Sequence, residues 1–322
     1  MILHNKPLRI VFMGTPEFAA IILQKIVASG KVDIIASYCQ PDRPVGRGHK
    51  VQFSAVKILA NSLGIPVYQP INFKSEYEIE KLYALKPDLL VVAAYGLILP
   101  QSVLDIPTIF PLNVHASLLP CYRGAAPIQR ALMNNDKKTG VTIIRMEKGL
   151  DTGAMFIHEE IPINMEDTAA TMHEKLAQLG GKLLINIFEQ IIQGTLSEPT
   201  PQDDVQATYA PKLTKSDGCI CWDMPAENVH AIVRGVTPWP GAQTSFKLVN
   251  RNPINILFQP GEIGSNELLK YNEGTSPLPG SILGLKGNAI AINCKDVPYL
   301  IYTLRPEGRK TMTAKDFWNG YL

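Results

Sequence analysis

The sequence predicts an α/β protein with a doubly wound, mostly parallel β-sheet, followed by a smaller β-barrel. Short apolar segments alternate with amphipathic, helix-length segments through most of the chain, as is typical of a parallel sheet flanked by helices. Beyond residue 250, short apolar runs separated by turn residues predict the barrel. A chain of 322 residues is long enough for two domains.

The first strand is predicted over residues 8–13, because these residues are almost all apolar and end at Gly14. We expect Thr15 to cap the following helix and Pro16 to occupy its first turn, with the helix continuing from Glu17. The turn contains a single glycine. It therefore lacks the Gly-x-Gly-x-x-Gly pattern of dinucleotide-binding proteins, and we exclude that class.

Two further strands are predicted over residues 32–38 and 89–94, with a helix over residues 76–85 between them. Ligands of doubly wound sheets bind beyond the carboxyl ends of the strands. Gly14, the Tyr95–Gly96 pair and His115 all fall at such ends. The sequence therefore predicts a ligand site along this edge.

A strand ending at His115 would place Asn113 and His115 on one face and Val114 on the other, because side chains alternate along a strand. Asp151 lies in a turn flanked by Gly149 and Gly153. An amide donor, an imidazole and a carboxylate are the groups that acyl transfer to an amine requires. Each residue also has a purely structural interpretation, since Asp is a common turn former and His at a strand end is often only hydrogen-bonded.

The segment after His115 is predicted to continue with a helix from Pro127 and a strand over residues 141–146, with Gly140 ending the connection between them. A strand over residues 154–163 is predicted to pair back. Asp167 or Thr168 should cap a long helix that reaches Gln193 and is interrupted at Gly180–Gly181.

The domain boundaries are predicted from a change in composition. Residues 194–206 are rich in Pro, Thr, Ser and Asp and form a predicted linker between a first domain, residues 1–193, and a second, residues 207–322. Strands of the second domain are predicted over residues 254–258, 280–285, 289–292 and 299–304. The basic excess of the chain lies in this second part, so nucleic-acid binding and an ordinary accessory role both remain open.

A basic segment lies between two of the predicted α/β units, at residues 40–50. Its prolines and glycines are expected to exclude regular structure, and it carries Arg43, Arg47 and Lys50. It is either a solvated surface loop or a loop that binds RNA phosphates.

Composition limits the remaining function classes. The net charge of +2 gives no global argument for nucleic acid, and the apolar run at residues 89–99 is too short for a membrane span of about 20 residues. The five cysteines contain no Cys-x-x-Cys pair, which is evidence against a zinc ribbon and a disulfide framework. We therefore expect a cytoplasmic protein with no metal and no membrane association.

Two motifs carry a resemblance to a known family. The first motif, at residues 113–124, reads Asn-x-His-x-Ser-Leu-Leu-Pro-x-x-Arg-Gly, and the second, at residues 149–153, reads Gly-Leu-Asp-Thr-Gly. Both motifs resemble those of the folate-dependent formyltransferases. The resemblance implies a Rossmann-like formyltransferase fold, 10-formyltetrahydrofolate as cosubstrate, and Asn113, His115 and Asp151 as catalytic residues. It also implies a folate site that is built from the following residues: Tyr95, Gly96, Leu97, Ser117, Leu118, Leu119 and Pro120.

The C-terminal part resembles one branch of this family. Residues 238–242, which read Pro-Trp-Pro-Gly-Ala, and residues 308–320 are similar to the branch that formylates the methionine carried by initiator tRNA. This implies an oligonucleotide-binding (OB)-like barrel that contacts tRNA, with Arg43, Arg47 and Lys50 at the acceptor end and Arg47 as the main contact. Initiator methionyl-tRNA is then the partner, and we expect a monomer. Cys121 and Cys221 depart from the family pattern, which has a basic and an acidic residue there.

Two alternatives belong to other classes. The chain could formylate a small amine, such as glycinamide ribonucleotide or an amino sugar, but such a substrate needs neither the basic segment nor the barrel. It could also be a non-catalytic RNA-binding relative. The presence of Asn113, His115 and Asp151 together argues against that second alternative.

Overall fold

The computed structural model describes residues 7–45, 50–246, 252–265, 267 and 277–322. The chain divides into two compact units. The first comprises Met1–Pro127, Lys138–Ile161 and His173–Ala210, and the second comprises Ile128–Lys137, Pro162–Met172 and Pro211–Leu322. The linker at residues 194–206 and the domain boundaries that it implies stay predictions.

The first unit is built on a seven-stranded sheet with strand order β10-β9-β7-β6-β1-β2-β5. Its strands are β1 (Leu8–Gly14), β2 (Val32–Tyr38), β5 (Val67–Tyr68), β6 (Leu89–Ala93), β7 (Phe110–His115), β9 (Lys138–Arg145) and β10 (Met155–Pro162). Two small two-stranded sheets pair β3 (Arg43–Val45) with β4 (Lys50–Gln52), and β8 (Arg123–Gly124) with β11 (Tyr209–Ala210). The helices are α1 (Glu17–Ser29), α2 (Ala55–Ser62), α3 (Glu76–Ala84), α4 (Gln101–Leu104) and α6 (Ala169–Gln193), the last of which begins in the second unit.

The predicted fold class is confirmed in this unit. The strands β7, β6, β1, β2 and β5 pair in parallel, and β9 pairs with β7 in the antiparallel direction. β1 and β6 are buried along almost their whole length, which explains why their sequences are continuous apolar runs rather than alternating ones. The crossover helices cover the sheet and leave its strand ends for a site.

Two predictions about local structure were wrong. Pro16 rather than Thr15 is the N-cap of α1, and the Thr15 hydroxyl instead donates to the carbonyl of Tyr95 at 2.9 Å. Gly140 lies inside β9 rather than before it. A Cβ at Gly140 would approach the Glu159 carbonyl oxygen to 2.3 Å. Glycine here therefore permits the close approach of β9 and β10 and does not end the strand.

The predicted interruption of the long helix at Gly180–Gly181 was also wrong. Helix α6 is continuous over 25 residues. A Cβ at Gly180 would lie 2.6 Å from Val114 Cγ1. The glycine therefore brings the backbone of α6 directly against the side of β7 that carries Val114.

The second unit contains antiparallel strands in two four-stranded sheets, with orders β12-β13-β18-β19 and β14-β17-β16-β15. The strands are β12 (Ala242–Phe246), β13 (Ile254–Phe258), β14 (Glu262–Ile263), β15 (Ile282–Lys286), β16 (Ala289–Ile292), β17 (Tyr299–Ile301), β18 (Thr303–Pro306) and β19 (Met312–Thr313). The helices are α5 (Pro127–Met133), α7 (Ala226–Gly235) and α8 (Ala314–Tyr321). The strand-rich C-terminal region is thus confirmed.

The predicted strand over residues 299–304 is two strands in the structure, β17 in one sheet and β18 in the other. Trp222, Phe258 and Tyr299 are buried in the core of this unit, and the Trp222 indole donates to the Thr244 hydroxyl at 2.9 Å. Only Tyr302 separates the two strands. Residues 299–304 contain no glycine or proline that would indicate a break, which is why the sequence predicted a single strand.

Candidate active site

Strand β7 brings Asn113 and His115 to one face of the sheet, as the alternation predicts. Asn113 Nδ2 donates to Asp151 Oδ1 at 3.2 Å, and His115 Nδ1 lies 3.7 Å from the same oxygen. Val114 faces the opposite side, against α6. The structure therefore assembles the three predicted residues around a single carboxylate oxygen.

The turn that carries Asp151 is held by backbone groups. Asp151 has a positive φ of 54°, and its Oδ2 accepts the backbone N–H of Gly124 at 2.8 Å. At Gly153 a Cβ would approach the Arg145 carbonyl oxygen to 1.7 Å, which requires glycine there. The Asp151 side chain is 12% exposed, so solvent reaches only a small part of it.

The hydrogen bond of His115 to the main chain identifies its neutral tautomer. His115 Nε2 lies 2.8 Å from the carbonyl oxygen of Tyr122. Because a carbonyl can only accept, Nε2 carries the ring hydrogen and Nδ1 keeps its lone pair. The side chain is 6% exposed, and its lone pair is on the same side as Asp151.

Sequence reasoning missed Gln202, which belongs to the predicted linker. Its amide nitrogen donates to the carbonyl oxygens of Asp151 at 2.7 Å and of Gly153 at 2.8 Å. Its Oε1 accepts from Arg123 Nε and Nη2 at 3.0 and 2.8 Å. Arg123 is 2% exposed and also pairs with Asp204 at 2.7 Å. In the sequence, the one feature that pointed to this region was the Arg123–Gly124 pair at the end of the first motif.

The predicted folate-site residues lie in two segments that follow the adjacent strands β6 and β7. The Tyr95 ring is 2% exposed and belongs to the core, where burial raises the pKa of its phenol, so only its backbone can face a ligand. Gly96 has a φ of 80° and is exposed beside the half-buried Leu97 and the exposed Ile98.

The second segment, residues 117–120, is largely packed. The Ser117 hydroxyl is fully buried and donates to the Cys121 carbonyl at 2.6 Å, and the backbone N–H of Leu119 donates to the Thr142 hydroxyl at 3.1 Å. Leu118 and Pro120 are half-buried. Any folate contact of these residues would therefore involve the outer surface of the segment rather than the Ser117 hydroxyl.

A cleft of about 350 Å³ lies beside the ends of β1 and β2. Its lining includes Thr15, Gln40, Arg43 and Phe53. Gln40 Nε2 donates to the carbonyl oxygens of Tyr95 and Gly96 at 3.2 and 2.9 Å, which ties the end of β2 to the segment after β6.

The basic segment is partly regular, contrary to the prediction. β3 and β4 pair in the antiparallel direction, with Arg43 opposite Gln52. Pro44 is compatible with this pairing because proline is tolerated in edge strands, which have one unpaired side. Arg43 is exposed, Arg47 lies outside the described residues, and the structure describes Lys50 only through its backbone in β4.

The root of this segment is fixed by an ion pair. Lys57 Nζ donates to Asp42 Oδ2 at 2.5 Å and to Gln69 Oε1 at 2.7 Å, while Gln69 Nε2 donates to Asp42 Oδ1 at 2.9 Å. The hydrogen bonds from Lys57 and then Gln69 lower the pKa of the Asp42 carboxyl. Asp42 therefore remains ionised at neutral pH and holds the start of β3.

The five cysteines are free thiols, with Cys121 half-buried and Cys221 exposed. Over the described ranges there is no cluster of His, Cys, Asp and Glu that could hold a metal ion. Within those ranges, too, no helix has the length and apolarity to span a bilayer.

Comparison with family models matches almost the entire chain. Residues 8–188 match the formyl transferase model, and residues 212–322 match the model of the formyl transferase C-terminal domain. The first match contains Asn113, His115 and Asp151, and the second begins after β11.

Curated relatives are similar over the same length. The chain is 49% identical to the methionyl-tRNA formyltransferase of Nitratidesulfovibrio vulgaris strain DP4, covering 99% of this chain and 94% of the relative. It is 44% identical to the methionyl-tRNA formyltransferase of Dictyoglomus turgidum, covering 98% and 96%.

Solved structures share the fold at lower identity. HypX from Aquifex aeolicus in complex with tetrahydrofolic acid has a TM-score of 0.65 at 17% identity; the match covers 98% of this chain and 48% of HypX, so the chain spans about half its length. The N-formyltransferase from Helicobacter canadensis in complex with folinic acid and dTDP-3-aminofucose has a TM-score of 0.64 at 19% identity, covering 91% and 98%. Together with the matches along the sequence, this shows that the chain belongs to the formyl transferase family.

Proposed function

We propose that this enzyme transfers the formyl group of 10-formyltetrahydrofolate to the amino group of methionine on initiator tRNA. The observation that carries the proposal is the similarity to enzymes named methionyl-tRNA formyltransferase, which extends over 99% of the chain at 49% identity. The C-terminal residues 212–322 are included in that similarity. A small amine substrate would not require them.

In the proposed mechanism, the amine of methionine attacks the formyl carbon and the formyl oxygen becomes negative. Asn113 stabilises this oxyanion. Its amide carries two N–H groups, and one of them suffices for the bond to Asp151. The other can donate to the oxyanion, and removal of such a donor typically costs about 10² to 10³ in rate.

The attacking nitrogen must lose a proton after the new C–N bond forms. The lone pair on His115 Nδ1 is the acceptor that we assign, because Nε2 is already bonded to the Tyr122 carbonyl. The resulting imidazolium lies 3.7 Å from Asp151 Oδ1, and the carboxylate stabilises it. His115 then returns the proton to the leaving nitrogen, so the protein ends the cycle unchanged.

The cosubstrate supplies a formyl group attached to a nitrogen that can leave once it is protonated. The residues that follow β6 and β7 fit a flat ring system beside Asn113, His115 and Asp151. Val92 pairs with Asn113, so the segments that follow β6 and β7 emerge side by side. Gly96 exposes its backbone, and Ile98, which is 93% exposed, offers an apolar surface.

The acceptor is a tRNA, and Arg43, Arg47 and Lys50 are the residues that we assign to its phosphates. Arginine and lysine side chains suit a polyanion, although such contacts position the RNA without reading its sequence. The Lys57–Asp42 pair fixes the start of β3. An acceptor of this kind assigns the reaction to the cytoplasm, and we expect a monomer to carry it out.

The test is formyl transfer from 10-formyltetrahydrofolate to methionyl-tRNA, with initiator and elongator tRNA compared and Asn113→Ala as the inactive reference. We expect rapid formylation of the initiator alone and a loss of about 10² to 10³ in the variant. Transfer to glycinamide ribonucleotide or an amino sugar, with neither tRNA formylated, would overturn the proposal in favour of a small-amine enzyme.

A further inference from the structure

We propose that Gln202, in the predicted linker, is a positioning residue that sets the orientation of the Asp151 carboxylate. The inference rests on the proposed function, because Asp151 acts there on His115. It goes beyond that function in assigning a role to a residue far from both motifs along the chain.

The first support is the bonding of Gln202 to the turn itself. Its single amide nitrogen donates to the carbonyl oxygens of Asp151 and Gly153, at 2.7 and 2.8 Å. Both hydrogens of the amide are used, one on each carbonyl. Since these carbonyls flank Thr152, the amide fixes the path of the backbone that carries the Asp151 side chain.

The second support is that Gln202 is itself held. Its Oε1 accepts two bonds from Arg123, at 3.0 and 2.8 Å, and Arg123 is 2% exposed. A buried guanidinium that donates twice to one oxygen leaves the amide little freedom to rotate. The orientation of Gln202, with its nitrogen toward the turn, therefore follows from Arg123.

The contacts form a closed ring. Gly124, the residue after Arg123, donates its backbone N–H to Asp151 Oδ2 at 2.8 Å. Arg123 therefore fixes the Asp151 backbone through Gln202, while its neighbour fixes the Asp151 carboxylate. In such a ring a shift of the turn moves the carboxylate away from His115 or breaks the bond to Gly124.

The chemistry explains why this would matter for turnover more than for binding. None of the bonds of Gln202 reaches Asn113 or His115, and it contacts the backbone of Asp151 rather than the carboxylate. A misplacement of about 1 Å in a catalytic group can cost about 10²-fold in rate. Substrate affinity depends on other surfaces and should change little.

The test uses Gln202→Glu in the full chain. Glutamate retains an acceptor for Arg123 and nearly the same volume, but it cannot donate to the two carbonyls. We expect kcat for formylation of methionyl-tRNA to fall about 10- to 100-fold, while the KM values for methionyl-tRNA and for 10-formyltetrahydrofolate stay within about twofold of the wild type. Gln202→Met, which removes the donors without adding a charge, should likewise lower kcat and leave both KM values nearly unchanged.

The matched control is Gln206→Ala. Gln206 is exposed on the same segment, and its amide nitrogen bonds only to Asp203, at 2.9 Å. We expect it to keep the wild-type kcat. A loss of kcat in Gln206→Ala equal to that in Gln202→Glu would mean that the segment as a whole, not Gln202, matters, and would overturn the proposal.

A double-mutant cycle separates positioning from a structural role. If Gln202 acts through the Asp151 carboxylate, Gln202→Glu should cause almost no further loss when Asp151 is already Asn. The same fold loss in both backgrounds would overturn the proposal. Absence of formylation by the wild-type enzyme would instead reject the proposed function.

A readout independent of turnover completes the test. We expect the backbone amide signals of residues 149–153 to shift in the ¹⁵N spectrum of Gln202→Glu and of Gln202→Met, and to stay in place in Gln206→Ala. Unchanged signals in both Gln202 variants would show that Gln202 does not fix the turn, whatever the activity.

Discussion

Two aspartates of the first unit, Asp42 and Asp151, are held by partners of different charge. Asp42 accepts from the Lys57 ammonium and from Gln69, and its side chain is 21% exposed. Asp151 accepts from the Gly124 backbone and from Asn113, which are neutral, and its side chain is 12% exposed. A cation balances the charge of Asp42, whereas neutral donors leave the charge of Asp151 to stabilise a proton on His115. The two aspartates are thus similarly buried but differ in role: Asp42 stabilises the fold, and Asp151, in our proposal, takes part in the reaction.

The largest expected effect comes from removing the charge of Asp151. Asp151→Asn can still accept the Gly124 N–H, but it cannot stabilise an imidazolium on His115. We expect kcat for methionyl-tRNA formylation to fall by about 10² to 10⁴, while the thermal unfolding midpoint stays close to that of the wild type. Asp42→Asn is the matched control and should retain the wild-type kcat. Equal losses in the two variants would break the distinction between the two aspartates.

A smaller effect is expected from removing the cation beside Asp42. Lys57→Met deletes the ion pair and the contact of Lys57 with the Phe53 ring, so the start of β3 in the basic segment loosens. We expect the KM for methionyl-tRNA to rise about fivefold and kcat at saturating tRNA to stay within about twofold. Lys31→Met, which removes an exposed pair with Glu189, is the control and should leave both constants unchanged. A fall in kcat with an unchanged KM would contradict the assigned role.

The smallest effect is a dependence of stability on pH. The bond from Lys57 lowers the pKa of Asp42 below its ordinary value of 3.8, so this carboxylate stabilises the folded state at all pH values above 3.8. That contribution is lost as the pH falls from 3.8 through the lowered value. In urea unfolding, the difference in midpoint between the wild type and Asp42→Asn should therefore be the same at pH 7 and pH 5, and smaller at pH 3. A difference that is as large at pH 3 as at pH 7 would show that the Lys57 pair does not lower this pKa in solution.

The sequence predicted those parts of the molecule that depend on local patterns. The apolar runs of β1 and β6 and the alternation in β7 gave the parallel sheet and placed Asn113 and His115 on one face, where the structure has them. The catalytic roles of these residues stay predictions. Contacts between distant segments carry no local pattern, which is why Gln202 was interpreted as linker.

Glycine was the main source of error within single elements. Gly140 and Gly180 were interpreted as breaks because glycine favours turns. Each instead lies inside a regular element that another segment of the same chain approaches closely. Sequence shows that a glycine is present, but only the packing shows whether its backbone freedom or its lack of a side chain is needed. The same limitation applied to β3 and β4, whose pairing was concealed by Pro44 and by the glycines that follow it.

The close approach of Gly180 to Val114 has a mechanical consequence. Between most helices and sheets, a layer of side chains can change rotamer and absorb a displacement, but here the helix backbone meets the strand side chain directly. A small movement of α6 would therefore be transmitted to Val114 and to its neighbours Asn113 and His115 without damping. Strand β7 is thus held rigid at Val114, between Asn113 and His115. We therefore expect its amide hydrogens to be among the slowest of the chain to exchange.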